Sequence, residues 1–145
     1  MKLLTGTAAV VLALTALASP AGADAVYHSE RLEFTGGGPD FHGQVVNIHP
    51  NGPVNGALER YQVVGADADT DYAVWIQTCD GGGVFTDFLM TTTLATNNHG
   101  NGHAKAGFTA EDVEPFSGAV ISIRWALKDG GAIEYTTSCT TVTID

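Results

Sequence analysis

Histidine is the residue type best suited to bind a metal ion or a polar ligand here, and the 145-residue chain has five of them. They are His28, His42, His49, His99 and His103. A zinc or copper site needs three or four ligands from different strands, and the last three histidines could meet at one end of a domain. No H-x-H strand pair and no helical HExxH motif accompanies them. We therefore expect surface and turn histidines, with a transition metal as the open alternative.

Three alternating acids are the second candidate for a metal site. Asp67, Asp69 and Asp71 have the spacing of oxygen ligands in a calcium-binding loop. The glycine that an EF-hand needs at position 6 is Tyr72 here, and the glutamate at position 12 is Thr78. The segment is therefore not an EF-hand. We expect a solvated acidic turn and predict no cofactor, with a looser extracellular calcium site as the alternative.

Two segments rich in turn-forming residues, His49–Arg60 and Asn97–His103, are the best candidates for a binding surface. Loops held by a rigid scaffold commonly carry binding residues. If both segments lie at one end of the fold, their polar groups would bind a glycan, a peptide or a protein. The predicted ligand-binding residues are His49, Asn51, Asn55, Glu59, Arg60, Asn98, His99, Asn101 and His103. Ordinary Asn-Gly turn chemistry is the alternative account of both segments.

Nucleophilic and acid–base catalysis have little support in the sequence. No serine lies in a G-x-S-x-G elbow, and none is placed to pair with a histidine and an acid. Carboxylate pairs such as Glu30 with Glu33 are expected by chance in a chain with 16 acidic residues. We therefore expect no enzyme activity. A metal-dependent enzyme is an alternative only if the chain binds one of the metals considered above.

The elements that must hold these residues are short β-strands. Runs of β-branched and aromatic residues alternate with Gly, Asn, Asp and Pro clusters, a pattern typical of a sandwich or barrel. We predict an all-β antiparallel sandwich of about eight strands, with one helical turn at Glu111–Phe116 capped by Thr109. The predicted strands are Val26–Phe34, Gln44–Ile48, Ala57–Val64, Tyr72–Cys79, Thr86–Thr93, His103–Thr109, Ala119–Leu127 and Ala132–Ile144.

The segment AVISIRWAL has the clearest alternation in the chain. It places Ile121, Ile123 and Trp125 on one face and Arg124 on the other. The Lys128–Gly131 segment that follows is typical of a hairpin turn, because glycines adopt positive φ without strain. We therefore expect the last two strands to pair.

Residues 1–23 have the pattern of a secretory signal peptide. Lys2 gives the positive n-region, Ala8–Ala18 is the apolar run, and small residues lead up to Ala23. Cleavage after Ala23 is the first choice and cleavage after Ala25 the second. The apolar run is well short of the roughly 20 residues that span a bilayer, so a membrane anchor is disfavoured.

Removal of residues 1–23 leaves one domain, residues 24–145, of 122 residues. Loss of Lys2 changes the net charge from −10 to −11. So few lysines and arginines argue against nucleic acid and anionic membranes as partners, because counterion release needs them. No later segment is apolar enough to insert into a membrane. We predict a soluble protein, secreted to the medium or held at the cell wall.

The chain has two cysteines, Cys79 and Cys139, which in a secreted protein most simply form one disulfide. A free pair or a catalytic thiol is the alternative. Side-chain parity switches near both residues. Either a β-bulge near each cysteine or a disulfide at the edge of the sandwich would explain that switch.

The order of motifs in the second half of the chain resembles secreted bacterial immunoglobulin-like sandwiches, and the antibiotic-carrying apoproteins of the neocarzinostatin type have a similar strand order. The residues that carry the resemblance are Thr70, Tyr72, Val74, Cys79, Asn101, Gly102, Ala104, Phe108 and Cys139. Those apoproteins have a second disulfide, for which this chain lacks the cysteines. The resemblance implies an immunoglobulin-like fold and no particular ligand.

The sequence as a whole predicts a secreted, non-enzymatic β-sandwich protein that acts as an extracellular binding module through its Asn-, Gly- and His-rich loops. A metal-binding extracellular protein or enzyme is the first alternative. A structural cell-surface protein is the second, disfavoured because the sequence shows neither repeats nor a long flat hydrophobic edge.

Overall fold

The computed structural model of the chain describes residues 27–50 and 56–143, which form a sandwich of antiparallel strands. The predicted signal peptide, residues 1–23, lies outside the described residues. The strands are β1 (Tyr27–Phe34), β2 (His42–Pro50), β3 (Ala57–Val64), β4 (Asp71–Cys79), β5 (Phe85–Ala95), β6 (Gly102–Phe108), β7 (Val120–Asp129), β8 (Ala132–Thr136) and β9 (Thr140–Thr143).

Two sheets make up the sandwich. The first sheet has the order β1-β2-β3-β6, and the second has the order β5-β4-β7-β8, with β9 also paired to β7. The chain changes sheet between β3 and β4, between β5 and β6, and between β6 and β7, as in immunoglobulin-like sandwiches. The predicted all-β fold is confirmed. Among the described residues, no helix is long and apolar enough to cross a membrane.

The core lies between the two sheets, and β7 provides its centre. Ile123, Trp125 and Leu127 are buried there, which confirms the alternation predicted for this strand. The largest side chains that are fully buried are Trp125, Tyr61, Tyr72, Leu94, Leu127, Val45, Val63 and Val74. Burial of each such side chain stabilises the fold by roughly 1.5–3 kcal/mol, so the sandwich is a rigid scaffold for its outer faces.

The predicted last strand, Ala132–Ile144, is two strands in the structure. The hairpin predicted at Lys128–Gly131 is confirmed, since Asp129 pairs with Ala132 across it. Thr137–Cys139 then leaves the ladder, and β9 resumes pairing with the first half of β7. The sequence did not show this break, because the residues on both sides of it favour strands equally.

The predicted disulfide between Cys79 and Cys139 is confirmed. It links the end of β4 to the break before β9, and these two strands flank β7, since Thr78 and Thr140 both pair with Ile123. The break brings the two cysteine Cα atoms to 6.4 Å from each other. The parity switch near Cys139 therefore comes from a break in the strand. The two register shifts in the β4–β5 ladder place their extra residues, Thr91 and Phe88, on β5, and β4 itself pairs with β7 without a shift.

The predicted helical turn is also present between β6 and β7. It consists of α1 (Ala110–Val113) and a 3-10 turn (Glu114–Phe116). The backbone N–H and the hydroxyl of Thr109 both donate to Asp112 Oδ2 at 2.8 Å. The Asp112 side chain therefore caps the first turn together with Thr109.

Candidate functional site

The first predicted binding segment enters the first sheet at the start of β3, and the turn of the second segment lies at the opposite end of that strand. Strand β3 runs antiparallel to β6, with Ala57 opposite Phe108 and Val63 opposite Gly102. Gly56, directly before the start of β3, is therefore about five to six residues, or about 17–20 Å, from the turn that precedes Gly102. The start of β3 is therefore far from the Asn97–Asn101 turn, whereas Arg60 of the first segment and His103 of the second lie near each other on the outer face of the β3–β6 ladder.

Individual residues of the first segment also differ from the expectation. Asn51 and Asn55 lie outside the described residues. His49 lies in strand β2, opposite His28 of β1. Glu59, expected at the surface, is only 2% exposed. Its strand alternates so that Glu59 faces the core together with Tyr61. Glu59 is therefore a buried strand residue and not an exposed loop residue.

The second segment is a tight turn whose shape comes from its backbone. Asn97 Oδ1 accepts from the N–H groups of His99 and Asn101 at 2.9 and 3.0 Å. Gly100 has φ +72°, and a Cβ placed there would lie 1.9 Å from the carbonyl oxygen of Ala66. The predicted binding residues Asn98, His99 and Asn101 are exposed on this turn, with their side chains facing solvent. Their role in binding stays a prediction.

The acidic turn between β3 and β4 packs against that same turn. Thr96 Oγ1 donates to the carbonyl oxygen of Asp67 at 2.6 Å, and Asp69 N–H donates to Asn97 O at 3.1 Å. Asp67, Asp69 and Asp71 are all exposed. Within residues 27–50 and 56–143, no group of three or more His, Cys, Asp or Glu side chains could hold a metal ion. Calcium binding and transition-metal binding stay alternatives predicted from the sequence.

A row of cations crosses the outer face of the first sheet. The register places Arg31 opposite Val46, Val46 opposite Arg60, and Arg60 opposite Lys105. Arg31, Arg60 and Lys105, which we call the cationic row, are exposed. With neighbouring strands about 4.8 Å apart, the row covers about 15 Å perpendicular to the strands. Half of the six basic residues of this acidic chain therefore lie on one line.

The cationic row has no counter-charge against it. In the described part of the chain, its three side chains take part in no ion pair and no hydrogen bond; the ion pair there is the one between Lys128 and Asp87. Glu33 is the one acid on the described outer face of the first sheet. Like charges directly opposite across a ladder destabilise a sheet. The arrangement of Arg60 and Lys105 therefore works against folding.

A second row of polar side chains lies beside the cationic row, about 6.6 Å along the strands. The register aligns Glu33, Gln44, Gln62 and His103, which we call the amide row. Gln44 Nε2 donates to Gln62 Oε1 at 3.2 Å. A shallow depression of about 320 Å³ adjoins this row, and Phe41 and His42 contribute to its lining. The outer face therefore combines charges with amide donors and acceptors.

The basic residues of the second sheet have a different environment. Lys128 Nζ contacts Asp87 Oδ2 at 2.6 Å, and the Arg124 guanidinium lies 3.3 Å from the centroid of the Phe85 ring. Arg124 Nε also donates to Gln77 Oε1 at 2.8 Å. The Lys128 ammonium holds the pKa of Asp87 below its usual range. These two cations are held by contacts within the second sheet, whereas the three of the cationic row form no ion pair with any described residue.

A buried acid lies beneath the first sheet, on the core side of β3. Tyr61 donates to Glu59 Oε2 from within the core. Burial raises the pKa of Glu59 to about 7, and hydrogen bonding from Tyr61 lowers it only in part. The buried Asn47 Oδ1 and Trp125 Nε1 have no hydrogen-bond partner of normal geometry in the described part. Asn47 lies directly opposite Glu59 in the register, on the same core side of the sheet.

Sequence reasoning found part of the outer face and missed the rest. Arg60 and His103 were predicted as ligand-binding residues, but as members of two loops at one end. Arg31, Lys105 and Gln62 were missed, because only the pairing of four strands aligns them. The signal present in the sequence was that basic residues are few and that three of them lie at outward positions of strands.

Comparison of the chain with family models, with curated proteins and with solved structures finds no match.

Proposed function

We propose that the mature protein is a secreted, non-enzymatic binding module that holds an anionic extracellular ligand on the outer face of its first sheet. The observation that carries the proposal is the cationic row. Arg60 and Lys105 are directly opposed, Arg31 lies two strands away, and in the described part of the chain none of the three forms an ion pair, although Glu33 lies on the same face. A ligand with negative charges would relieve that repulsion. Ligand binding therefore explains an arrangement that, by itself, destabilises the fold.

Export supports the same function. The signal-peptide pattern of residues 1–23 predicts secretion, and a disulfide persists outside the cell but rarely inside it. The rigid sandwich holds its outer face with little rearrangement on binding, which lowers the entropic cost of association. Two of the ligand-binding residues predicted from the sequence, Arg60 and His103, lie on this surface.

The test is retention of the mature protein, starting at Asp24, on immobilised polyanions in low salt. The triple variant Arg31→Gln, Arg60→Gln, Lys105→Gln is expected to bind about 10- to 100-fold more weakly, since each exposed pair contributes up to about 1 kcal/mol. Affinity of the wild type is expected to fall as salt rises.

A matched control separates the cationic row from net charge. The variant Thr93→Glu, Thr141→Glu, Thr143→Glu changes the charge by the same three units at exposed positions of the second sheet. It is expected to bind like the wild type. Equal losses in both triple variants, or no retention of the wild type on any polyanion, would overturn the proposal.

A structural role at the cell surface is the second candidate, and strand β5 favours it. This strand is an edge strand of the second sheet. Four of its apolar side chains are exposed: Phe85, Phe88, Leu89 and Met90. Its one acid, Asp87, is neutralised by Lys128, so the edge carries no charge that repels a second copy. Sedimentation of the wild type beside a Leu89→Lys variant tests self-association. A wild type that stays monomeric at high concentration removes this candidate.

A further inference from the structure

The outer face of the first sheet combines the cationic and amide rows with apolar side chains such as Val46 and Val64, and its chemistry restricts the kind of anion that fits. This step rests on the proposed function. The described part of the face carries no Phe, Tyr or Trp side chain among its exposed positions on β1, β2, β3 and β6. Single-stranded nucleic acids are held by stacking of bases on aromatic side chains, which the described side chains of this face do not offer.

The charge of the whole chain restricts the ligand further. The full sequence has a net charge of −10, so the part of the chain outside the cationic row has a net charge of −13, from 3 basic and 16 acidic residues. A polymer as densely charged as double-stranded DNA, with one charge per roughly 1.7 Å, would meet repulsion wherever it extends beyond the row. A polymer with widely spaced charges fits better, because its neutral parts can pass over the rest of the surface.

The amide row supplies what such a neutral part would need. Gln44 and Gln62 are joined by one hydrogen bond, which leaves the Gln44 oxygen and the Gln62 amide hydrogens available. Sugar hydroxyls are both donors and acceptors, and they match paired amides at the rim of a shallow depression. Along the cationic row the separations are about 10 Å from Arg31 to Arg60 and about 5 Å from Arg60 to Lys105. Steps of that size suit a chain of sugars.

We propose that the ligand is a linear acidic polysaccharide that lies across the strands, with its acidic groups on Arg31, Arg60 and Lys105 and its hydroxyls on Gln44 and Gln62. Arginine suits this role, because its planar guanidinium binds a carboxylate or sulfate through two parallel hydrogen bonds. The ligand enters no bond-making step, and its recognition is by charge and hydrogen bonding alone.

The experiment is a titration of isotope-labelled mature protein followed by NMR. The probes are polyuronate oligosaccharides of increasing length, the same oligosaccharides with carboxyls reduced to alcohols, a sulfated polysaccharide, polyphosphate, poly-glutamate and single-stranded DNA. We expect the uronate oligosaccharides to bind, affinity to rise until the chain covers the row, and the reduced oligosaccharides to bind at least 10-fold more weakly. Backbone shifts are expected at Arg31, Val46, Arg60 and Lys105, one residue per strand. Binding of the sulfated chain alone would reassign the acidic group from carboxylate to sulfate within the same class of ligand.

Two variants separate the sugar from the charge. The double variant Gln44→Ala, Gln62→Ala is expected to weaken uronate binding about 10-fold and to leave polyphosphate binding unchanged. Arg60→Gln is expected to weaken both. If polyphosphate, poly-glutamate or DNA binds this face and neither acidic polysaccharide does, the polysaccharide inference is wrong while the proposed binding function stands. If no polyanion binds, both are wrong.

Discussion

Arg60 and Lys105 lie directly opposite each other across the β3–β6 ladder, with no carboxylate of the described chain against either. Directly opposed pairs of this kind change stability by roughly 0.2–1 kcal/mol, in a direction set by their charges. We therefore expect Lys105→Glu, which creates an attractive pair, to raise the free energy of unfolding by about 0.5–1 kcal/mol. The same substitution is expected to weaken binding of polyanions. Urea denaturation and retention on a polyanion matrix measure the two effects.

Lys105→Gln is the control for that substitution. It removes the repulsion without adding a partner, so its gain in stability is expected to be smaller than that of Lys105→Glu. A Lys105→Glu protein less stable than the wild type in low salt would show that Arg60 and Lys105 do not repel each other in solution. Added salt is expected to reduce the difference between the variants, because both side chains are exposed.

The buried Glu59 predicts that the protein is more stable in mild acid than at neutral pH. Its pKa is raised from 4.5 to about 7 in the folded state. Between these values the unfolded chain loses a proton that the folded chain keeps, so stability falls as pH rises and levels off above about pH 7. The shift corresponds to roughly 3 kcal/mol. The free energy of unfolding, measured in urea from pH 4.5 to 8, tests this.

Glu59→Gln is the matched variant for the pH dependence. Its amide oxygen can still accept from Tyr61, and it has no proton to lose, so its stability is expected to change little over the same pH range. Below about pH 4 both proteins are expected to lose stability, because Asp87, whose pKa is lowered by Lys128, becomes protonated. Parallel curves for the wild type and Glu59→Gln above pH 4.5 would contradict the role of Glu59.

Local patterns in the sequence predict the strands and their faces well, but they do not contain the sheet order. The alternation around Trp125 predicts which side chains of β7 are buried, and glycines predict the hairpin at Lys128–Gly131. Pairing of β3 with β6 is a long-range event decided by packing of the whole core. It separates the start of β3 from the Asn97–Asn101 turn and aligns Arg60 with Lys105, while pairing of β1 and β3 with β2 aligns Arg31 with Arg60. A surface assembled from four strands is therefore visible only once the register is known.

The turn at Gly100 predicts a strong position-specific effect of one methyl group. A Cβ at Gly100 would lie 1.9 Å from Ala66 O, in a backbone with φ +72°. Gly100→Ala is therefore expected to destabilise the protein by more than about 2 kcal/mol, because backbone atoms on two turns must move apart. Gly107→Ala is the control, since nothing lies within 4 Å of its Cβ position. Thermal unfolding of both variants gives the comparison, and equal melting temperatures would contradict the close packing of the two turns.

Removal of the disulfide is expected to lower the free energy of unfolding by an amount set by the length of the loop that the disulfide closes. Cys79 and Cys139 are 60 residues apart, for which the chain-entropy model gives about 4 kcal/mol. The double variant Cys79→Ser, Cys139→Ser is expected to lose about that much in urea denaturation. Wild-type protein reduced and held in reductant is the control, and it should match the double variant, because both lack the same crosslink. A loss below about 1 kcal/mol in both proteins would mean that pairing of β4 and β9 with β7 already restricts the unfolded chain. The cationic row lies on the other sheet, so a folded double variant is expected to keep its affinity for polyanions.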